Sequence, residues 1–178
     1  MSDATAASTV RCSHERHASA ILGILNDAIV NTTALYDYHP RPVDSMIDWF
    51  RAKSQGNYPV IGIEQAGELL GFATYGPFRN WPAYKYSVEH SVYVRADQRG
   101  KGFGERLLHE LIGCARGQNY HCIVGGIDVT NVSSIRLHEK LGFAHAGTVR
   151  QAGFKFGRWL DLAFYQLILA TPQHPEDG

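Results

Sequence analysis

A glycine-rich turn between a predicted strand and a predicted helix constrains this chain more than any other feature. The β-branched run that ends at Val94 leads into Gly100, Gly102 and Gly104, and apolar residues at helical spacing follow. Because these alternate positions lack side chains, their backbone N–H groups are free to face one point, and the helix adds the positive end of its dipole. The turn therefore predicts a binding site for a pyrophosphate or a similar anion.

Two common phosphate-binding motifs do not match this turn. A dinucleotide fingerprint has its third glycine later, and a Walker-type loop has a Ser or Thr where Gly102 follows Lys101. Arg99 and Lys101 flank the turn and are predicted to add positive charge beside the anion. The motif is thus an anion site built largely from main-chain donors.

The order of motifs in the second half of the chain resembles that of the GNAT family of N-acetyltransferases. The spacing Arg99-x-x-Gly102-x-Gly104 is similar to the acyl-CoA signature of that family. Residues 86–94, 126–143 and 155–161 resemble the branch that acetylates phosphinothricin and methionine sulfoximine. The resemblance implies an α/β fold of the α+β kind, in a single domain. Its sheet would be twisted, mixed and mostly antiparallel, flanked by helices and splayed between the fourth and fifth strands at the acyl-CoA site.

Length, charge and cysteine count fit one domain that binds a small ligand. A chain of 178 residues can bury a single core without staples. Its 17 basic and 17 acidic residues give no net attraction to nucleic acid or to an anionic membrane, so neither is a predicted partner. Cys12, Cys114 and Cys122 lack metal-ligand spacing and are predicted to be reduced thiols of a cytoplasmic protein. We expect no signal peptide and no membrane-spanning segment.

Periodicity and turn residues divide the chain into a flexible tail (1–8), one acetyltransferase domain (9–170) and a C-terminal tail (171–178). Strands are predicted at 9–12, 59–64, 69–75, 84–94, 121–127, 144–151 and 160–169. Helices are predicted at 18–29, 43–52 with an end near Gly56, 102–117 and 131–141. The polar and aromatic segment 31–41 is of a kind that lines sites or packs at a corner between helices.

Glu89 is the predicted general base. Acyl transfer from a thioester to an amine needs a neutral amine and a group that accepts its proton. Glu89 interrupts an apolar and aromatic strand, where partial burial raises the pKa of a carboxyl, and the resemblance implies the same role for this position. The alternative is a solvent-facing strand residue paired with a nearby cation. His90 is predicted to face the other side of the sheet and to have a structural role.

The acid that protonates the leaving thiolate is predicted to be His138. Many members of the family carry a Tyr at this position, and histidine can donate a proton at neutral pH. Asn131, Ser134 and His138 recur at near-helical spacing, so we expect them to face one cleft, with Asn131 and Ser134 in contact with the cofactor. The alternatives are that His138 packs at a helix surface and that Asn131 caps the helix.

The cofactor that the resemblance implies is acetyl-CoA, and no metal site is predicted. Main-chain N–H groups of Val92 and Val94 are expected to hold the thioester carbonyl and the pantetheine amides. The pyrophosphate is expected to contact the turn and the start of the helix, at Arg99, Gly100, Lys101, Gly102, Phe103 and Gly104.

The acceptor site is predicted just before the base. Arg79 is able to grip the carboxylate of an amino acid, with Tyr84 and Tyr86 beside it. In the alternative interpretation, Arg79 is a solvated loop charge and the tyrosines lie on the sheet surface. The matching residues of segment 155–161 are assigned to packing of the fold or of a dimer.

Together with the resemblance, the sequence predicts a cytoplasmic N-acetyltransferase that acts on the α-amine of a small amino acid or an analogue such as phosphinothricin, methionine sulfoximine or methionine sulfone. The resemblance also implies a homodimer. Two other functions remain open. One is acetylation of protein N-termini or of another amine such as an aminoglycoside, although Arg79 and Lys85 do not suit a polycationic acceptor. The other is a non-catalytic sensor that binds acyl-CoA and signals to a partner.

Overall fold

The computed structural model describes residues 6–177, which form one seven-stranded sheet and four helices. The strands are β1 (Ser8–Arg11), β2 (Val60–Gln65), β3 (Glu68–Pro77), β4 (Ser87–Val94), β5 (Cys122–Asp128), β6 (Ala144–Lys155) and β7 (Arg158–Ile168). The helices are α1 (His14–Asn31), α2 (Ser45–Gln55), α3 (Phe103–Gly117) and α4 (Val132–Lys140). Most of the tail predicted at 1–8, and residue 178 of the tail predicted at 171–178, lie outside the described residues.

The sheet has the order β1-β2-β3-β4-β5-β7-β6, and its strands separate at one place. Among the described strands, β4 and β5 form the only parallel pair, and residues 87–89 of β4 pair with residues 122–124 of β5. β4 then runs on to Val94, past the last of these pairs. This confirms the predicted mixed, mostly antiparallel sheet with a splay between its fourth and fifth strands. We call the opening between β4 and β5 the wedge.

Two apolar clusters, one on each face of the sheet, fix the helices. Phe72 of β3 packs in one cluster with Ile21 of α1 and Met46 of α2. Its neighbour Ala73 belongs to the other cluster, together with Leu107 of α3. Successive strand residues point to opposite faces, so the two clusters lie on opposite sides of the sheet. Each large apolar side chain that is fully buried in this way contributes about 1.5–3 kcal/mol.

β4 begins at Ser87 rather than at the predicted Tyr84. Pro82 opens a short 3₁₀ turn, Pro82–Tyr84, in which Lys85 N donates to Pro82 O at 3.0 Å. Proline suits the first turn of a helix and has no N–H for a strand ladder, so the chain turns here before it extends. The predicted start of this strand at Tyr84 is therefore wrong, and Tyr84 ends the 3₁₀ turn instead.

The last two strands are longer than predicted and form a tight hairpin. β6 ends at Lys155 and β7 begins at Arg158, with Phe156 and Gly157 at φ angles of 51° and 71°. Positive φ at both central residues is the geometry of a type I′ turn, for which Asn-Gly is a much stronger sequence signal than Phe-Gly. The strands predicted from the sequence therefore stop short of the turn.

Lys155 ties this hairpin to the end of α1. Its side chain is buried, and Nζ donates to the carbonyl oxygens of Ile29 (2.6 Å), Thr32 (3.0 Å) and Leu35 (2.6 Å). Hydrogen bonds from a charged donor are the stronger kind, so three of them hold the segment after α1 firmly against the sheet. That segment forms one wall of the groove described next.

Candidate active site

A groove of about 430 Å³ runs along the wedge between β4 and β5. Nine of the ten residues predicted to bind the cofactor line it: Val92, Val94, Arg99, Gly100, Gly102, Phe103, Gly104, Asn131 and Ser134. The tenth, Lys101, is exposed, and its Nζ donates to Gln98 Oε1 at 2.9 Å. The groove thus brings together the end of β4, the glycine turn and the first turns of α3 and α4.

The N–H groups of Val92 and Val94 point into the wedge. In an antiparallel pair, alternate residues form hydrogen bonds with the partner strand. Arg95 N donates to Leu70 O at 2.9 Å, so the backbone N–H of Tyr93, two residues earlier, also points toward β3. The backbone N–H groups of Val92 and Val94 therefore point away from β3. Because β5 has separated by this point, these two main-chain donors are directed toward the groove.

Positive φ angles at Gly100 (76°) and Gly102 (81°) curl the turn before α3. Residues with a β-carbon are strained at such angles, which is why glycine is required here. Gly102 is the N-cap of α3 and has no side chain to satisfy the first N–H groups of the helix. Arg99 lies beside the turn, with its Nε donating to Val94 O at 3.3 Å. Free helix donors and a neighbouring cation suit an anion such as a pyrophosphate.

One wall of the groove comes from residues that the sequence did not single out. α1 and the segment after it contribute Ile24, Ala28, Thr32 and Ala34. The signal in the sequence was the length and aromatic content of segment 31–41, which does not indicate which residues face the sheet. The part of this wall that follows α1 is held by Lys155, which lies 123 positions from Thr32 along the chain.

Asn131 caps α4 and lines the groove at the same time. Its Oδ1 accepts from Ser134 N at 3.2 Å and from Ser133 Oγ at 3.0 Å. The capping alternative is therefore observed, and it uses only the oxygen of the side-chain amide. Capping and contact with a ligand are compatible at this position.

Glu89 lies in the last β4–β5 residue pair before the wedge opens, opposite Val124. Burial raises the pKa of its carboxyl, and the positive charge of Arg79 opposes that rise. Gly126 keeps the space beside it open, because a β-carbon there would lie 3.4 Å from Glu89 Oε1. A partly buried carboxylate with a raised pKa is suited to accepting a proton near neutral pH.

A second cavity, of about 560 Å³, opens on the sheet face that carries Glu89. Ser87, two positions before Glu89 and therefore on the same face, lies in its lining. Most of the lining is apolar or aromatic and includes Phe78, Tyr84, Val124, Val149 and Phe164. A cavity of this size beside a proton acceptor has room for a small organic molecule.

The three residues predicted to bind the acceptor are placed differently from one another. Tyr84 lines the second cavity. Arg79 is exposed, but its charge acts on Glu89. Tyr86 is engaged by the C-terminal tail, since its hydroxyl accepts from Glu176 N at 3.1 Å and donates to Glu176 O at 3.3 Å. The structure thus brings Tyr84 and Arg79, but not the Tyr86 hydroxyl, toward the site around Glu89.

His90 and His138 form a buried pair on the face of β4 opposite Glu89. They are 7% and 1% exposed, their Nε2 atoms are 3.0 Å apart, and their rings stack. His138 Nδ1 lies 2.6 Å from Ser134 O, so this nitrogen carries a proton and donates it. With His138 neutral, the bond between the rings requires His90 Nε2 to donate to the bare His138 Nε2.

This pairing leaves His138 no free N–H to direct at the groove. Burial lowers the pKa of His138, and burial together with His138 lowers the pKa of His90 to about 3. Both rings are therefore neutral at pH 7. The arrangement does not favour direct proton transfer from His138 to a thiolate, and its role as the acid stays a prediction.

We expect the histidine pair to make the fold sensitive to acid. The rings are neutral in the native state but bind protons freely when unfolded, so stability falls as pH drops from about 6.5 toward the native pKa of about 3. The loss reaches about 1.4 kcal/mol per pH unit for each proton. His90→Gln keeps a donor toward His138 and removes one titrating ring. Urea unfolding at about pH 7 and about pH 4.5 should show a smaller loss in this variant, and equal losses would contradict the assignment.

Residues 6–177 offer neither a candidate metal centre nor a membrane-spanning helix. In that range, no group of three or more His, Cys, Asp or Glu side chains is placed to hold a metal ion. The same residues contain no helix that is both long and apolar enough to cross a membrane.

Comparison with known proteins gives matches over most of the chain. The sequence pattern of the acetyltransferase (GNAT) family matches residues 24–143. An L-methionine sulfoximine/L-methionine sulfone acetyltransferase of Pseudomonas paraeruginosa is 49% identical over 150 residues, which cover 84% of this chain and 87% of that protein.

Two solved structures are similar over nearly the full length. A provisionally assigned acetyltransferase of Acinetobacter baylyi ADP1 superposes with a TM-score of 0.97 at 57% identity, covering 100% of both chains. A phosphinothricin acetyltransferase of Sinorhizobium meliloti, solved in complex with acetyl-CoA, has a TM-score of 0.90 at 32% identity and covers 95% of this chain and 92% of its own. The likeness therefore extends well beyond the glycine turn.

Proposed function

This chain belongs to the acetyltransferase (GNAT) family and is an N-acetyltransferase, and on that premise we propose that it acetylates the α-amine of a small amino acid with acetyl-CoA. The acceptors we favour are methionine sulfoximine, methionine sulfone and phosphinothricin, since relatives named for them align over most of the chain. The main support is a single wedge that has a glycine turn with free helix N–H groups at one end and a partly buried carboxylate at the other.

Glu89 acts as the general base in this reaction. An acceptor ammonium group must lose one proton before its nitrogen attacks the thioester carbonyl carbon, and a second as the amide forms. Glu89 takes the first proton, directly or through one water, because burial has raised its pKa above the ordinary range. The carbon–sulfur bond breaks, and the second proton leaves with the sulfur as a thiol.

The groove holds the acyl donor. Acetyl-CoA supplies an activated carbonyl when it is bound. The N–H groups of Val92 and Val94 donate to the carbonyl oxygen, as negative charge develops on it, and to the pantetheine amides. The first N–H groups of α3 and the turn from Gly100 to Gly104 donate to the pyrophosphate, with Arg99 as a counter-charge.

Arg79 and Tyr84 position the acceptor. The charge of Arg79 acts on Glu89, so a carboxylate bound by Arg79 would bring its α-amine near the base. Tyr84 lines the second cavity on the Ser87 side of Glu89, where it would flank the α-carboxylate bound by Arg79. Proton donation to the sulfur needs no fixed acid, because a thiolate leaves readily, and His138 would need to turn away from His90 to serve as one.

We propose that the protein is a homodimer located in the cytoplasm. Five large apolar side chains are exposed on the β6–β7 hairpin: Val149, Phe154, Phe156, Trp159 and Ile168. Exposed apolar residues grouped on one element are typical of an interaction surface. The cytoplasmic location is supported by the three cysteines, Cys12, Cys114 and Cys122, all of which are free thiols.

Thiol release from acetyl-CoA, measured against a panel of amines, tests the proposed reaction. We expect saturable turnover with methionine sulfoximine and related amino acids. The matched control is the same compound with its α-carboxylate converted to an amide, which we expect to lose at least tenfold in kcat/KM because it loses its ion pair with Arg79.

Other results would change the assignment in definite ways. Turnover confined to short peptides or to an aminoglycoside would replace the proposed acceptor. Binding of acetyl-CoA without transfer to any amine in the panel would favour the sensor instead.

A further inference from the structure

A buried polar cluster at the end of β5 has two atoms without hydrogen-bond partners. Asp128 is 3% exposed, and its Oδ1 accepts from Thr130 N at 2.8 Å and from Thr130 Oγ1 at 2.7 Å. Its Oδ2 has no partner, and neither has the buried hydroxyl of Tyr36. Each buried polar atom left without a partner costs about 1–3 kcal/mol. Two such atoms in one cluster therefore point to a ligand that supplies their missing hydrogen bonds.

Arg158 lies beside these two atoms without satisfying them. Its Nη2 is 3.8 Å from Asp128 Oδ2, which is an ion pair but not a hydrogen bond. Burial and the Asp128 charge raise the pKa of Tyr36, and the Arg158 charge opposes them, so the three groups are in electrostatic contact. Gly153 makes room for Tyr36, because a β-carbon there would lie 2.8 Å from its ring. The cluster thus offers a carboxylate oxygen, a hydroxyl and a cation.

The carboxylate of Asp128 stays ionised. Burial opposes ionisation, but hydrogen bonding by Thr130, the nearby Thr33 hydroxyl and the charge of Arg158 together lower the pKa of Asp128. Its free oxygen is therefore an acceptor only, and the group that completes it must be a donor.

The cluster lies on the same sheet face as Glu89, farther along the wedge. Gly126 is the β5 position next to Glu89 Oε1. Asp128 follows Gly126 by two residues, which places it on the same face and about 7 Å farther along the strand. Asn131, which lines the groove, donates its N–H to Asp128 O at 2.8 Å. The cluster therefore adjoins both Glu89 and the groove.

We propose that Asp128, Tyr36 and Arg158 form a subsite for the polar end of the acceptor side chain, and that the subsite selects an uncharged group carrying both an N–H donor and an oxygen acceptor. This inference rests on the proposed function, since it takes the acceptor amine to lie at Glu89. A polar group four bonds from the α-amine can bridge Glu89 and Asp128. The amine then forms one hydrogen bond of about 3 Å to Glu89, and the polar group forms another to Asp128. A sulfoximine and a primary amide both have this chemistry. The phosphinate of phosphinothricin is an anion without an N–H donor, so among the acceptors proposed above the subsite ranks it below methionine sulfoximine.

Methionine sulfoximine and methionine sulfone form a matched pair of probes, because they differ only in an N–H in place of one oxygen. Asp128 Oδ2 accepts from the sulfoximine N–H, whereas a sulfone presents only oxygens to it. Tyr36 and Arg158 donate to the remaining oxygen of either compound. The native enzyme should therefore prefer the sulfoximine by about tenfold, the effect of one hydrogen bond to a charged group.

Asp128→Asn tests the subsite while it preserves the fold. Asparagine keeps the oxygen that accepts from Thr130 and presents an NH₂ donor in place of the free oxygen, so the preference should shift to the sulfone. Tyr36→Phe should lower kcat/KM for both compounds without loss of thermal stability, because the deleted hydroxyl has no partner. Asp161→Asn is the control, since Asp161 also acts on Tyr36 by charge but binds Gln151 N through its own Oδ1.

The measurements are kcat/KM for both compounds and their binding by calorimetry in all four proteins. An inverted ratio in Asp128→Asn, with an unchanged ratio in Asp161→Asn, supports the subsite. An unchanged ratio in a folded Asp128→Asn protein overturns it. Native protein that binds the sulfoximine more tightly than the sulfone without acetylating either would remove the proposed function and keep the subsite. Absence of both turnover and binding would remove both.

Discussion

Replacement of Glu89 by Gln is expected to lower kcat by about 10²-fold to 10³-fold, which is within the range that general-base catalysis supplies. The KM for acetyl-CoA should change less than about twofold, because the groove that holds the cofactor does not include this side chain. The native enzyme should also lose activity as pH falls through the raised pKa of Glu89. The pH–activity profile of the variant should lack this loss on the acid side. Stopped assays of thiol release across pH measure all three quantities.

The same substitution should not destabilise the fold. A carboxyl whose native pKa is raised binds its proton more tightly in the folded state, so stability falls as pH rises through the interval between the unfolded and native pKa values. Glutamine removes that cost, and the thermal midpoint at neutral pH should stay equal or rise. Glu110→Gln, at an exposed position of α3, is the matched control and should keep full activity. Native turnover in the Glu89 variant at every pH would exclude Glu89 from the mechanism.

Gly102→Val is expected to raise the KM for acetyl-CoA by roughly 30-fold to 150-fold. A β-branched residue is strained at the φ angle of 81° that Gly102 adopts, so the turn relaxes and its N–H groups move away from the anion. Loss of hydrogen bonds to a charged group costs about 2–3 kcal/mol, which converts to that range. Saturating acetyl-CoA should restore most of kcat, because Glu89 is untouched.

Gly113→Ala provides the control for the loss of a glycine from the same helix. Gly113 lies within α3, and nothing is within 4 Å of the β-carbon it would gain. Alanine should stabilise the helix by about 0.5–1 kcal/mol and leave both kinetic constants unchanged. If Gly102→Val bound acetyl-CoA as tightly as Gly113→Ala does, the turn would not be the pyrophosphate site.

The sequence predicted best those parts of the site that are contiguous in the chain. The end of β4, the turn and the start of α3 lie within residues 92–104, and periodicity and glycine spacing reveal such a unit directly. Gly102 adopts the positive φ angle expected of a turn that curls around an anion, and the N–H groups of Val92 and Val94 point away from β3 as expected. Glu89 was predicted as the base from a lone acid in an apolar strand together with the resemblance to the family.

The parts that the sequence did not predict depend on contacts between distant segments. Thr32 lies at the end of α1, where Lys155 Nζ binds its carbonyl oxygen from 123 positions away, and the charge of Asp128, on β5, acts on Tyr36. The pairing of His90 with His138 likewise joins a strand to a helix 48 positions away. Local patterns carry no information on such pairs, so His138 was predicted from the spacing on its helix and from the resemblance to the family as a group facing the cleft.

A crystal structure of the native enzyme with coenzyme A and methionine sulfoximine bound together would test the roles of the glycine turn and of Glu89 most directly. We expect the pyrophosphate against the N–H groups of Gly102 and Gly104, with the α-amine within about 3 Å of Glu89 or one water away. A pyrophosphate bound elsewhere, or an amine on the His90 side of β4, would contradict these roles.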